Sequence, residues 1–187
     1  MATGDIESWS GLCSWLYSLF SSDPPSNEAM VRHAAVGRGD RILDIGCGPG
    51  ASLEHAHAAG VEVFGVDPTP GMVKRAVRRV PAATVVQGSA EHLDFDDGFF
   101  THVWSVASYH HWAYPERAFD EIRRVLQPGG RLFVMERLLK DGKKGHGLNR
   151  GDADDLAATL TDHGFTDGNV DVIKAGRKEY VVVSGTV

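Results

Sequence analysis

Cysteine is scarce in this chain, with Cys13 and Cys47 the only two among 187 residues. Disulfide-stapled secreted domains are far denser in cysteine, so a disulfide framework is excluded and a reducing, cytoplasmic setting is expected. Positive charge is also in short supply: 19 Lys and Arg stand against 25 Asp and Glu, for a formal net charge of −6. That balance lacks the basic footprint of a nucleic-acid-binding protein, and no nucleic-acid partner is expected. No run approaches the roughly 18 apolar residues that a membrane-spanning helix needs. The opening MATGDIESW carries acids where a secretion signal would carry positive charge. Internal repeats and low-complexity tracts are missing too. What is present, 42% hydrophobic and 24% charged residues, suits one globular unit large enough to bury a sizeable core.

The periodicity divides the chain into a short helical cap (1–36) and a single α/β domain (37–187). In WSGLCSWLYSLF, Trp9, Leu12, Cys13 and Leu16 recur at helical spacing, the mark of an amphipathic helix. After the turn SSDPPSN, Ser26 or Asn27 can cap a second helix over about residues 27–35. From there apolar runs alternate with helical patterns. RILDIG, VEVFGVD, TVVQG, FFTHVWSV and RLFVME read as strands. SLEHAHAAG, closed by Gly60 as a C′ residue, TPGMVKRAVRRV and PERAFDEIRRVL read as helices. SAEHLDF offers only a short helical turn, and QPGG places Pro and Gly where a type II turn prefers them. Residues 138–151 are glycine-rich and basic, a mobile loop. The helix DADDLAATLTDHG follows, and VDVIK and KEYVVVSGTV read as a closing hairpin. This order predicts a Rossmann-like, doubly wound α/β fold with a seven-stranded sheet, parallel except for an antiparallel last strand. Ligands of such sheets bind outside the carboxyl ends of the strands.

The first strand end reads DIGCGPGA. It fits G-x-G-x-G (Gly46, Gly48, Gly50) and equally the G-x-G-x-x-A fingerprint of dinucleotide enzymes (Gly46, Gly48, Ala51). Asp67 ends the second strand, where a carboxylate can accept hydrogen bonds from both hydroxyls of an adenosine ribose, and Pro68 keeps it extended. An adenosine-type ligand is indicated, and NAD still fits. The Tyr-x-x-x-Lys pair of a short-chain dehydrogenase is missing, because Tyr17, Tyr109, Tyr114 and Tyr180 are followed at that spacing by Ser21, Ala113, Ala118 and Ser184.

The succession ILDIGCGPG, VFGVDPTPGMVKRA, VVQGSAEHLDF and HVWSVASYHHW…PERAFDEIRRVLQPGGRLFVME resembles the ordered motifs of class I S-adenosylmethionine-dependent methyltransferases, in particular the branch of ubiquinone and menaquinone biosynthesis enzymes and small-molecule methyltransferases. The resemblance covers roughly residues 38–137 and favours the G-x-G-x-G reading. It implies S-adenosylmethionine as cofactor, S-adenosylhomocysteine as product and a small-molecule methyl acceptor as substrate. It places Asp44, Gly46, Cys47, Gly48 and Gly50 around the methionine part and Asp67 on the ribose, with Pro68 and Met72 beside the adenosine. Gly88, Ser89, Ala90 and Glu91 would lie along the adenine edge, and Ser105 near the methionine carboxylate or the sulfonium. Where relatives often carry Asp, this chain has Ser89, a weaker acceptor for the adenine amino group. Cys47 is read as a small residue whose backbone matters and whose thiol does not.

SYHHWAYPE lies at the end of the fourth strand. In this reading His110 or His111 orients or deprotonates the acceptor, while Tyr109 and Trp112 wall it. The bland alternative is that one histidine bonds backbone and Trp112 is core. No histidine spacing predicts a metal centre, since His55 and His57 lie on different faces of a helix and His92 and His102 have no partner at ligand spacing. The segment that relatives insert after the fifth strand is short here, leaving His146 and the N-terminal stripe with Tyr17 as candidates to cover the acceptor. That stripe equally suits packing on the sheet or on a second copy in a homodimer. A non-catalytic S-adenosylmethionine-binding partner subunit with the same fold is the competing function.

Overall fold

The computed structural model describes residues 24–140, 142–143 and 145–187. The stripe from Trp9 to Phe20, with Cys13 and Tyr17, lies outside the described residues. The elements run α1 (Pro25–Ala34), β1 (Arg41–Ile45), α2 (Ala51–Ala58), β2 (Glu62–Asp67), α3 (Pro70–Arg79), β3 (Thr84–Gln87), β4 (Phe100–Val106), a 3-10 turn (Tyr109–His111), α4 (Pro115–Val125), β5 (Leu126–Arg137), α5 (Arg150–Asp162), β6 (Thr166–Ala175) and β7 (Lys178–Thr186). The seven strands form one sheet in the order β3-β2-β1-β4-β5-β7-β6. Strands β1 to β5 pair in parallel, and β7 runs antiparallel to both its neighbours, β5 and β6. The expected sheet, parallel but for its last strand, is therefore observed.

Alternation along the strands builds two cores. Leu43, Ile45, Phe64, Val66, Val103, Leu132 and Val134 pack on one side against Phe119 and Ile122 of α4 and Leu156 and Leu160 of α5. Ile42, Val63, Trp104, Phe133 and Met135 pack on the other against α1, α2 and α3 through Met30, Leu53 and Ala76. Helix α4 shows how sequence sets this arrangement. Ala118, Phe119, Ile122 and Val125 are fully buried, while Glu116, Arg117 and Asp120 fall on the other side of the helix, so one apolar stripe turns to the sheet. Met30 is likewise fully buried, so the described part of the 1–36 cap is packed into the same three-layer sandwich.

Three boundaries differ from expectation. Helix α1 begins at Pro25 behind Pro24, without a side-chain cap, and Ser26 is buried inside the helix; proline at the first helical position supplies the starting φ without needing its missing N–H. The SAEHLDF stretch forms no helical turn but a tight bend closed by a Ser89–His92 bridge. Helix α5 starts before Asp152, because Asn149 accepts from the Asp152 N–H at 2.9 Å while the Asp152 carboxylate accepts from the Asn149 N–H at 3.1 Å. That reciprocal capping box sets the start. Gly60 does follow the cap of α2 with φ +85°. In QPGG, Gly129 has φ +79°, the sign a type II turn requires there, and the turn is absorbed as an irregularity in the β4–β5 register.

Candidate active site

The carboxyl ends of β1, β2 and β4 and the bend after β3 converge. Their loops are fixed mainly by backbone donors and a few buried hydroxyls. The N–H groups of Gly46 and Cys47 both donate to the Val66 carbonyl, at 2.8 and 3.1 Å. The Gly48 N–H donates to Asp67 Oδ2 at 2.9 Å, and the Thr69 N–H donates to Oδ1 at 2.9 Å. Asp67 thus bridges the two loops while each oxygen keeps acceptor capacity for a ligand. Burial pushes its pKa above the usual carboxylate range against these hydrogen bonds.

The glycines divide the labour unequally. Gly46, Gly48 and Gly50 all have positive φ, at +72°, +53° and +82°. A Cβ on Gly46 would collide with the side chain of Ser108. The close approach that demands glycine there comes from the chain's own serine. Gly50 is pressed against Ala76 of α3, where a Cβ would lie 3.0 Å from its Cα. Of the three, only Gly48 has open space where a Cβ would stand, the arrangement a backbone needs if a ligand is to lie against it. Cys47 is buried and its thiol pKa is raised well above normal by desolvation, so it is not a nucleophile.

Asp44 is the most strained electrostatic feature. It is 2% exposed, and its Oδ1, the Ser52 Oγ and the Trp104 Nε1 are all buried without a hydrogen bond of good geometry. Desolvation pushes its pKa up to about 7, while the nearby Ser52 and Trp104 groups pull in the opposite direction and the Asp67 charge adds to the rise. An unmet acceptor under the glycine loop, beside Asp67 and the open Gly48, fits a ligand with hydroxyl and ammonium donors, as S-adenosylmethionine has.

Ser105 is fully buried, and its hydroxyl lies 2.7 Å from Ser108 Oγ, which itself donates to the Ile45 carbonyl at 2.7 Å. The pair braces the ends of β1 and β4. On the adenine side, Ala90 and Met72 are buried. Glu91 accepts from the N–H groups of Ala113 and Tyr114 at 2.9 and 3.1 Å. Desolvation raises its pKa, but Ser89 and these backbone donors outweigh it and hold the carboxyl below its ordinary value. Glu91 therefore clamps the segment after the 3-10 turn to the bend after β3.

Ala107, with φ +54°, turns the chain at the end of β4 and lifts the 3-10 turn over the strand ends; a non-glycine residue held there stores strain. His110 Nδ1 lies 3.0 Å from both oxygens of Glu136, which is fully buried at the end of β5. A carboxylate only accepts, so Nδ1 carries the proton and Nε2 presents its lone pair. Tyr109 and Trp112 stack edge-to-face at 5.2 Å, and both rest on Phe119. Both are half-buried and packed against the core, the position that the bland alternative gives Trp112. His111 and His146 close over His110, with ring centroids 4.1 and 4.7 Å from its ring. Ser108 and Glu136 fall at strand carboxyl ends in the sequence, but nothing local there gives either an individual role.

A family profile described as a methyltransferase domain matches residues 43–134. The chain is 32% identical over 140 residues to an uncharacterized methyltransferase of Synechocystis, covering 70% of this chain and 66% of that protein. It is 31% identical over 122 residues to the uncharacterized methyltransferase YdaC of Bacillus subtilis, covering 63% and 67%. The chain belongs to the class I methyltransferase family. It spans only 39% of the mycobacterial methyltransferases it also matches. A chain from the complex of the Haloferax volcanii Trm112 activator with a putative methyltransferase superposes with a TM-score of 0.80 at 18% identity, over 100% of this chain and 99% of that one.

Proposed function

We propose that this chain is an S-adenosylmethionine-dependent methyltransferase acting on a small organic acceptor. The observation that carries this reading is the Asp67–Gly48 junction, where a loop-bridging carboxylate with spare acceptor capacity adjoins the one loop glycine with open space around it. Asp67 would hold the ribose hydroxyls, the Gly46–Gly48 backbone and Asp44 the methionine part, and Met72 and the Gly88–Glu91 bend the adenine. Bound S-adenosylmethionine supplies a methyl carbon already activated by a sulfonium, with a neutral leaving group.

The protein's own task is then alignment, which can contribute about 7–11 kcal/mol to lowering a barrier. No side chain has to protonate the leaving group. His110, held by Glu136 with Nε2 presented, can orient an acceptor or take its proton as an in-line displacement proceeds, worth about 10²–10⁴-fold. Tyr109 and Trp112 offer it an apolar wall. Beyond β5, Arg137, Lys140, Arg150, Lys174, Arg177 and Lys178 surround a shallow depression in which Glu179 is the one acid among the described residues, which supports an acceptor bearing an anionic group. Among the described residues no helix is long and apolar enough to cross a membrane.

The test is transfer of labelled methyl from S-adenosylmethionine to a panel of small carboxylated and phosphorylated acceptors. Replacing both His110 and His111 by Ala is expected to cut turnover by about 10²-fold or more while cofactor affinity stays within a few-fold. Full activity in that double variant would refute the histidine role. Tight cofactor binding without transfer to any acceptor would favour the non-catalytic partner subunit.

A further inference from the structure

Three imidazoles from two distant parts of the chain meet at the mouth of this site. We propose that His110, His111 and His146 bind a divalent transition metal of the zinc class, leaving a fourth position for the methyl acceptor; this last element rests on the methyltransferase reading.

The geometry is close to a coordination site. One ligand atom from each histidine lies within 4.8 Å of the others. The rings are tilted toward one another at 48°, 59° and 44°, not stacked. A tetrahedral metal with nitrogen ligands at about 2.0–2.1 Å sets them about 3.3 Å apart, so no pair has to close by more than about 1.5 Å. His111 and His146 are exposed, and rotation of their side chains supplies that movement.

The other two supports are built into the fold. His110 is oriented by the buried Glu136 through Nδ1, the carboxylate–histidine arrangement that fixes the tautomer and raises the basicity of a metal ligand. His146 is set in place by its neighbour Gly147, which has φ +148° and passes so close to the Arg137 carbonyl that a Cβ would collide with it. The loop is closed at its base by hydrogen bonds from the Leu139 N–H to the Leu148 carbonyl at 2.9 Å and from the Leu148 N–H to the Arg137 carbonyl at 3.0 Å. Three imidazoles without a carboxylate among the ligands suit Zn²⁺, Co²⁺, Ni²⁺ or Cu²⁺ and not Mg²⁺ or Ca²⁺. Three protein ligands with one position open is the pattern of catalytic zinc.

With His110 Nε2 taken up by the metal and so no longer a base, an acceptor O–H, N–H or S–H group at the open position would lose its proton to solvent more easily. Its heteroatom lone pair then forms the new bond to methyl carbon, and the sulfur–methyl bond breaks with its electrons left on the sulfur.

The test uses tag-free full-length protein titrated with Zn²⁺ by calorimetry and with Co²⁺ by visible absorption, alongside S-adenosylhomocysteine. One metal per chain is expected, with the visible bands of four-coordinate Co²⁺. His146→Ala should weaken binding at least about tenfold and Glu136→Gln about 10–100-fold; His146 is exposed, so its removal leaves folding intact. Absence of stoichiometric binding, or binding that neither substitution alters, overturns the metal site. Homocysteine-product binding without metal binding would overturn this inference alone, whereas metal binding without it would overturn the methyltransferase reading and keep the metal site.

Discussion

Replacing Asp44 by Asn is expected to stabilise the ligand-free protein in a strongly pH-dependent way while weakening cofactor binding. Asp44 is 2% exposed with Oδ1 unpartnered, and burial moves its pKa from 3.8 to about 7. A carboxyl with a folded pKa above its unfolded value holds its proton more tightly when folded. Stability therefore falls as pH rises from about 4 and levels off above about 7. For these two values the penalty is about 4 kcal/mol at pH 8 and about 2 kcal/mol at pH 5. Asn is uncharged at both, so its advantage over Asp should widen by about 2–3 kcal/mol between pH 5 and pH 8. Urea unfolding of the two proteins at both pH values measures this, and titrating groups that do not interact with Asp44 cancel in the difference. An advantage that stays constant within about 0.5 kcal/mol would refute the claim that an ionised, unmet carboxylate sits beneath the glycine loop.

Other substitutions probe the frame of the site. Gly46→Ala should destabilise by about 2–4 kcal/mol, through a collision with Ser108 and a positive φ; chemical denaturation should show partial recovery when Ser108→Gly is added, and no loss would remove the proposed contact. Arg124 donates to Glu121, Asp97 and the Phe95 and Leu93 carbonyls, so Arg124→Met should cost about 1–3 kcal/mol in the same assay. Glu91 and Glu121 titrate below their ordinary 4.5. The stability they add is present above that value and is lost as pH falls through their folded pKa values; Glu91→Gln should flatten the acid limb of the unfolding curve, and an unchanged limb would count against the clamp.

The strand–helix order was legible because apolar periodicity reports which face of each element is buried, and Gly60 and Gly129 sit where their φ demands. Less legible were features set by contacts far apart in sequence. Gly46 looked like a ligand-approach glycine, yet its neighbour is Ser108, on another strand end. The brace that Ser105 makes with Ser108 is likewise set by the fold and by no local pattern. The Asn149–Asp152 capping box was readable at its spacing and was overlooked in favour of the acidic run that follows. The His110–Glu136 pair and the gathering of His146 onto His110 and His111 depend on how the end of β5 and the following loop fold back, which no local pattern encodes.

Calorimetric titration with S-adenosylhomocysteine and with NADH, on the wild-type chain and on Asp67→Ala, tests the central claim most directly. Micromolar affinity for S-adenosylhomocysteine, abolished by the substitution and accompanied by no NADH binding, is the expected result. Binding of NADH alone, or S-adenosylhomocysteine affinity indifferent to Asp67, would contradict it.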